Sequence, residues 1–244
     1  MIKKISLPEE LSSFDNTIFG CRIQSAAAAY GMDEPFAQFW TQENKAAICK
    51  LDDVVTLDAL DDADFEELGS LLRMTGAKHL LCDLRTALLL GLPVTLQGEI
   101  MVYQNIMKPK TPASFETNPS LRGLYNLLCE CETDTFQPPE FESFYLDLSH
   151  RIRHGAATAV GVKDGDALVS CAICIAQAEN QAMVSAVATK PDRRKRGFGH
   201  AALAAVLAQL KQERIYILRA QNENEYFYKS FGFQSAGEFA EITL

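Results

Sequence analysis

Two rhythms run through the hydrophobic positions of this chain. Runs that alternate apolar and polar residues, or crowd β-branched residues together, predict strands; apolar residues three and four apart predict helices. Ile2 to Leu7 opens as a strand. Leu11 to Tyr30 carries Phe14, Ile18, Phe19, Ile23 and an alanine run that predict a helix, with Gly20 and Gly31 as breaks. Three β-type runs follow, Phe36 to Thr41, Ala46 to Leu51 and Val54 to Leu57. Asp61-Asp62 is expected to cap a helix reaching about Met74, with Phe65, Leu68 and Leu72 on one face and Gly76 as its stop. Lys78 to Cys82 then reads as strand, Leu84 to Leu90 as a short helix ending at Gly91, and Val94 to Tyr103 as strand.

The second half repeats that order. Met107 to Ser114, with two prolines and three lysine or threonine residues, has the composition of a linker. Leu121 to Cys131 and Phe141 to Ile152 read as helices. Ala156 to Val162 and Ala167 to Ala176 flank Asp164-Gly165, a strong hairpin signal. Residues 182–189 form the next strand, and a helix begins at Phe198, with Leu203, Val206, Leu207 and Leu210 on one face. A strand at 214–219, a short helix around Tyr228 and a β-type stretch from Phe233 to Leu244 complete the chain.

Chemistry concentrates between the strand ending at Thr189 and the helix beginning at Phe198. Four consecutive cations, Arg193 to Arg196, precede Gly197 and Gly199. Helix-start amides, the positive end of the helix dipole and adjacent Arg/Lys together suit a phosphate or pyrophosphate. The spacing Arg194-x-x-Gly197-x-Gly199 after a strand resembles the acetyl-CoA-binding motif of the GNAT superfamily of N-acetyltransferases. Downstream, Asn222-Glu223-Asn224-Glu225-Tyr226-Phe227-Tyr228-Lys229-Ser230-Phe231-Gly232-Phe233 resembles that family's second signature, a short helix carrying Tyr and ending in Gly-Phe.

This resemblance implies an α/β (α+β) fold of two GNAT-like units, each a mixed, mostly antiparallel sheet flanked by helices. The expected division is a degenerate N-terminal unit at 1–107, a linker at 108–118 and an acetyl-CoA-binding unit at 119–244. The first unit is expected to lack a cofactor, because Asp61, Asp62, Asp64, Glu66 and Glu67 stand where the second has its cations and glycines. The resemblance further implies that strands ending at Thr189 and Arg219 splay apart. The pantetheine arm would then pair with Val187, Ala188 and Thr189, and a backbone amide near Val187 or Ala188 would polarise the thioester oxygen. The pyrophosphate would rest on Lys195, Arg196, Gly197, Phe198, Gly199 and His200, with Arg194 neutralising charge. Tyr228 takes the place of the family's general-acid tyrosine. Asn222 or Asn224 would contact the cofactor, although the family's Asn position falls here on Gln221. The implied activity is acetyl transfer from acetyl-CoA, by direct attack, to a primary amine whose pocket is shaped by about 121–154. A first unit that narrows the groove favours a small-molecule acceptor. Glu179, Glu223, His150 and His154 are open as general bases. A GNAT-like module that binds CoA or a partner without turnover is the alternative.

Composition changes this picture only at its edges. Net charge is −9, so nucleic acid is not expected as a partner. No apolar run approaches the ~20 residues of a membrane span, and no secretory signal opens the chain. Seven scattered cysteines then read as reduced thiols of a cytoplasmic protein. Cys171-x-x-Cys174 in a strand has no second pair to hold zinc, and the i, i+4 pair His150 and His154 has no third ligand, so no metal is expected. Gly197-x-Gly199-x-x-Ala202 also fits a dinucleotide fingerprint. An NAD(P)-dependent reading is disfavoured because a charged hexapeptide separates strand from glycines and the preceding strands form hairpins. The sequence assigns no oligomeric state.

Overall fold

The computed structural model describes residues 1–104, 109, 114–221 and 223–244. Its strands are β1 (Ile2–Lys4), β2 (Ala37–Gln42), β3 (Ala46–Leu51), β4 (Val54–Ala59), β5 (His79–Asp83), β6 (Leu96–Gln104), β7 (Glu116–Thr117), β8 (Thr158–Asp164), β9 (Ala167–Gln177), β10 (Gln181–Thr189), β11 (Arg214–Ala220) and β12 (Gln234–Thr243). Its helices are α1 (Ile18–Tyr30), α2 (Phe65–Thr75), α3 (Leu84–Leu89), α4 (Leu121–Glu130), α5 (Phe141–Arg153), α6 (Phe198–Gln209) and α7 (Glu225–Ser230). The expected α/β class, mostly antiparallel strands flanked by helices, is the fold this chain adopts.

The chain forms two compact units, Met1–Tyr103 with Tyr216–Leu244, and Gln104–Ile215. These do not follow the sequence halves 1–107 and 119–244. In the first unit β12 lies between β5 and β6, antiparallel to both, with Ala240 opposite Cys82 and Gln97. The reason is burial: Ala240 and Ile242 join the core made by Leu57, Leu68, Leu72 and Leu80. The expected linker also differs. β7 pairs with β8 through Thr117 and Val160, and the Asn118 side chain accepts from Ala159 N–H at 2.9 Å. Most of Met107 to Ser114 lies outside the described residues.

Within the first unit, β1 to β4 form an antiparallel meander, and β4 runs parallel to β5 through Val54–His79, Val55–Leu80 and Thr56–Leu81. The helix expected over 11–30 divides into a 3-10 turn, Pro8–Phe14, and α1, which Thr17 caps by accepting from Gly20 N–H at 2.9 Å. Gly20 therefore starts the helix rather than breaking it, and a Cβ there would overlap the Phe14 carbonyl oxygen. Asp64, not Asp61 or Asp62, caps α2, accepting from Glu67 N–H at 3.0 Å; Gly76 ends it at φ 65°. In the second unit β7, β8, β9 and β10 form consecutive antiparallel pairs. Helix α6 packs on β8, β9 and β10. Residues 202–207 of that helix are all buried, so the one-faced stripe expected there is a helix enclosed on most sides.

One buried acid in the first unit has a measurable consequence. Asp58 on β4 is only 5% exposed and accepts the Thr17 hydroxyl. Burial pushes its carboxyl up to about 6, against the Thr17 hydrogen bond and with the help of the Asp83 charge. A raised carboxyl favours the folded state below its unfolded value near 3.8, and that stability is lost as pH rises through about 6. Asp58→Asn removes this linkage. Urea unfolding at pH 4 and pH 8 should show the variant gaining about 2 kcal/mol on wild type between the two. A pH-independent difference would contradict the assignment.

Candidate functional site

The strand that leads into the cationic loop is irregular. β10 pairs with β9 through Val184–Cys174 and then Val187–Ala172, leaving Ser185 and Ala186 opposite the single Ile173. This is a β-bulge, which bends a strand and re-aims its groups. Beyond it, Lys190 N–H donates to Val169 at 2.9 Å. Antiparallel pairs alternate, so Ala188 spends its amide and carbonyl on β9, whereas Val187 and Thr189 turn theirs away from it. The Ala188 carbonyl also accepts the Ser170 hydroxyl at 2.8 Å, and Ser170 lies 2.9 Å from the Thr189 hydroxyl. Of the two amides expected to polarise an oxygen, that of Ala188 faces β9 and that of Val187 faces away from it.

Pro191–Arg193 makes one 3-10 turn, Lys195 adopts φ 60° and Gly197 φ 86°. Gly197 is the N-cap of α6 and brings no side-chain cap to it. A Cβ on Gly197 would meet nothing within 4 Å, so the glycine is needed for its left-handed backbone rather than for room. The cations are individually committed. Arg194 Nε donates to the Thr189 carbonyl at 3.2 Å, and its guanidinium draws down the Cys131 thiol, which burial otherwise pushes up. Arg193 Nε lies 3.2 Å from Asp164 Oδ2 without hydrogen-bond alignment, and a second Arg193 nitrogen meets Asp192. Arg196 reaches the same Asp164 oxygen at 3.4 Å and lies over the Phe198 ring. Lys190 pairs with Glu130 at 2.9 Å. Lys195 is exposed and has no such partner among the described residues.

The corresponding place in the first unit is closed. β4 pairs with β3 without a register shift. At the start of α2, Asp64 caps the helix, and Gln42 binds Asp64 N–H at 2.7 Å and Glu67 at 2.8 Å. Glu67 in turn accepts from Ile2 N–H at 2.7 Å. The Asp64 and Glu67 amides are met by the chain's own acceptors, and the local charge is negative.

In the first unit, α7 carries Tyr228, buried against the rings of Phe227 and Phe233. Desolvation pushes its phenol up to about 12, with Arg219 pulling down and Glu223 pushing up. The hydroxyl therefore keeps its proton throughout the neutral range and is a donor. Asn224 is the N-cap of α7 at φ 53°, without a side-chain cap bond. Asn222 lies outside the described residues. Glu223 is half-buried, and its carbonyl accepts from Arg219 at 3.0 Å. In the second unit, Glu179 is exposed in the turn before β10, and His150 stacks on His154 at 4.2 Å in the last turn of α5. Among the described residues no group of three or more metal-ligating side chains forms. No helix there is long and apolar enough to cross a membrane. Cys171 and Cys174 are buried, with thiols pushed to about 12 by desolvation. A cleft of about 610 Å³ opens beside α4 and α5, lined by Pro119, Ser120, Leu121, Arg122, Phe141 and Tyr145.

Residues 121–233 match the family model described as the Acetyltransferase (GNAT) family. Over that span the chain is similar to GNAT acetyltransferases. No curated protein matches it. Among solved structures, a GCN5-related N-acetyltransferase from Kribbella flavida aligns with 81% of this chain and 86% of its own, at 13% identity and TM-score 0.57. The GCN5-related N-acetyltransferase from Sphaerobacter thermophilus covers 99% and 94%, at 13% identity and TM-score 0.59. A tandem GNAT protein from the clavulanic acid biosynthesis pathway covers 100% and 98%, at 11% identity and TM-score 0.59. At these identities the likeness is one of fold.

Sequence reasoning missed the ion pair that holds the loop before α7. Arg219 is 8% exposed and binds Glu99 on β6, while its other nitrogen holds the carbonyls of Ala220 at 3.3 Å and Glu223 at 3.0 Å. A signal was present: Arg219 falls two and four residues from Ile217 and Ile215, on the buried side of β11, where a charge requires a partner. Arg219→Leu takes the cationic partner from Glu99, which keeps its Ser235 hydrogen bond, and should cost about 2 kcal/mol in urea unfolding. Arg219→Leu with Glu99→Leu should recover most of that. A loss below about 1 kcal/mol in the single variant would show that the pair does not hold the loop.

Proposed function

We propose that this protein transfers an acetyl group from acetyl-CoA to a primary amine of a small molecule, by direct attack, in the cytoplasm. The observation that carries this reading is the start of α6: a left-handed Gly197 without a side-chain cap, at the end of a cationic loop. That arrangement suits a diphosphate, and the sealed, acidic start of α2 does not. Lys195, Arg196, Gly197, Phe198, Gly199 and His200 would hold the diphosphate, with Arg194 fixing the loop from behind through the Thr189 carbonyl. Val187 and Thr189, whose backbone groups turn away from β9, would pair with the pantetheine arm. When bound, acetyl-CoA supplies the activated acyl group and a thiol leaving group.

The chain's own groups support this reading. Val187 N–H is the backbone donor suited to an acyl oxygen that gains charge. Tyr228, protonated throughout the neutral range, is the donor for the departing sulfur. The cleft beside α4 and α5 lies on the helices expected to shape the acceptor pocket. The free cysteines suit a reducing compartment.

With acetyl-CoA and a panel of amines, the purified protein should release free CoA thiol. Tyr228→Phe should lower kcat by about tenfold or more with near-normal acetyl-CoA affinity; a wild-type kcat would remove Tyr228 from the mechanism. Gly197→Glu, which sets a carboxylate at the helix start, should abolish acetyl-CoA binding while the melt stays cooperative. Calorimetric binding of acetyl-CoA without turnover of any amine would instead favour a binding module. No binding by the wild type would overturn the proposal.

A further inference from the structure

Resting on that reading of the cationic loop, we infer that Asp164 is a resident competitor that sets how tightly the loop takes a diphosphate. The β8–β9 hairpin ends at the same edge as the loop, since Asp164 pairs with Ala167 while Val169 pairs with Lys190. One oxygen of Asp164 receives both Arg193, at 3.2 Å, and Arg196, at 3.4 Å. Two of the loop's four consecutive cations thus share one carboxylate, and Arg194 is tied to Thr189 and Cys131. Lys195 alone presents its charge without a partner among the described residues. An arriving diphosphate meets Lys195 first and then exchanges with Asp164 for the two guanidiniums.

The exchange is a weak one. The Asp164 side chain is 36% exposed and those of Arg193 and Arg196 are 34% and 51% exposed, so water screens each pair and the carboxylate is displaceable. A strongly held carboxylate would block the site, and none at all would leave the guanidiniums attracted to any anion. Asp164 therefore discriminates in favour of ligands that carry several phosphate charges at once.

The test is calorimetric titration of wild type and Asp164→Asn with inorganic pyrophosphate and with acetyl-CoA, at low and high salt. Asn suits the same turn, so the hairpin is kept. The variant should bind both ligands about two- to fivefold more tightly at low salt, with the gain shrinking as salt rises. Asp164→Glu should restore wild-type affinity, and the gain should vanish in an Arg193→Gln, Arg196→Gln background. A residue that only props the loop would give the opposite sign. Unchanged or weaker binding by Asp164→Asn, with acetyl-CoA still bound by the wild type, overturns this inference and leaves the acyl-transfer reading. Pyrophosphate binding with the predicted gain, but no acetyl-CoA binding, does the reverse. Binding of neither ligand to either protein overturns both.

Discussion

A helix that starts on a left-handed glycine has no side chain of its own to cap its first turn. Its dipole and its amides must then be met from elsewhere, by water, by a neighbouring group or by a ligand. In this protein that constraint falls on α6, and much of the second unit is arranged around it. The bulge in β10 re-aims Val187, the Arg194 guanidinium ties the loop back to the Thr189 carbonyl, and Ser170 fixes the Ala188 carbonyl behind it. Residues 202–207 of α6 are buried throughout, so packing fixes the body of the helix in the second unit. The positive charge at its mouth is a consequence of fold as much as of composition, because the chain as a whole carries −9.

The first unit shows what happens to the same order of elements when that constraint is lifted. An aspartate caps α2, Gln42 and Glu67 close over it, and β4 keeps an unbroken ladder. Two of the amides there bind acceptors from the chain itself. Asp58 and Thr17 then bring a carboxyl into the core beside the start of α1, which is a cost in stability at neutral pH rather than a binding feature. The same strand–helix unit thus starts its helix on a glycine without a side-chain cap in one place and on an aspartate cap among acidic residues in the other. The choice rests on a few residues at each helix start.

Much of this was legible in the sequence, for physical reasons. Elements follow from local periodicity, and the Asp164-Gly165 turn, the Gly76 stop and the glycine start of α6 each follow from backbone preferences that few residues share. Non-local pairing was not legible. Nothing in Gln234 to Thr243 says that the strand belongs between β5 and β6, because its alternation would suit any two open edges. The β10 bulge left no mark either, since Ser185 and Ala186 fit a regular strand equally well. Polar partners were half-legible. Arg219 on the buried side of β11 demanded a partner without naming Glu99, and Asp61 and Asp62 were as good as Asp64 until Gln42 singled out Asp64.

The start of α6 is also where the account is most directly tested. Hydrogen–deuterium exchange of the full chain, with and without acetyl-CoA, reports on the amides of both helix starts in one experiment. Slowed exchange over 195–203 and 185–189, with 64–68 unchanged, is the predicted result. Equal protection at α2, or no change at the first turn of α6, would contradict a diphosphate resting there.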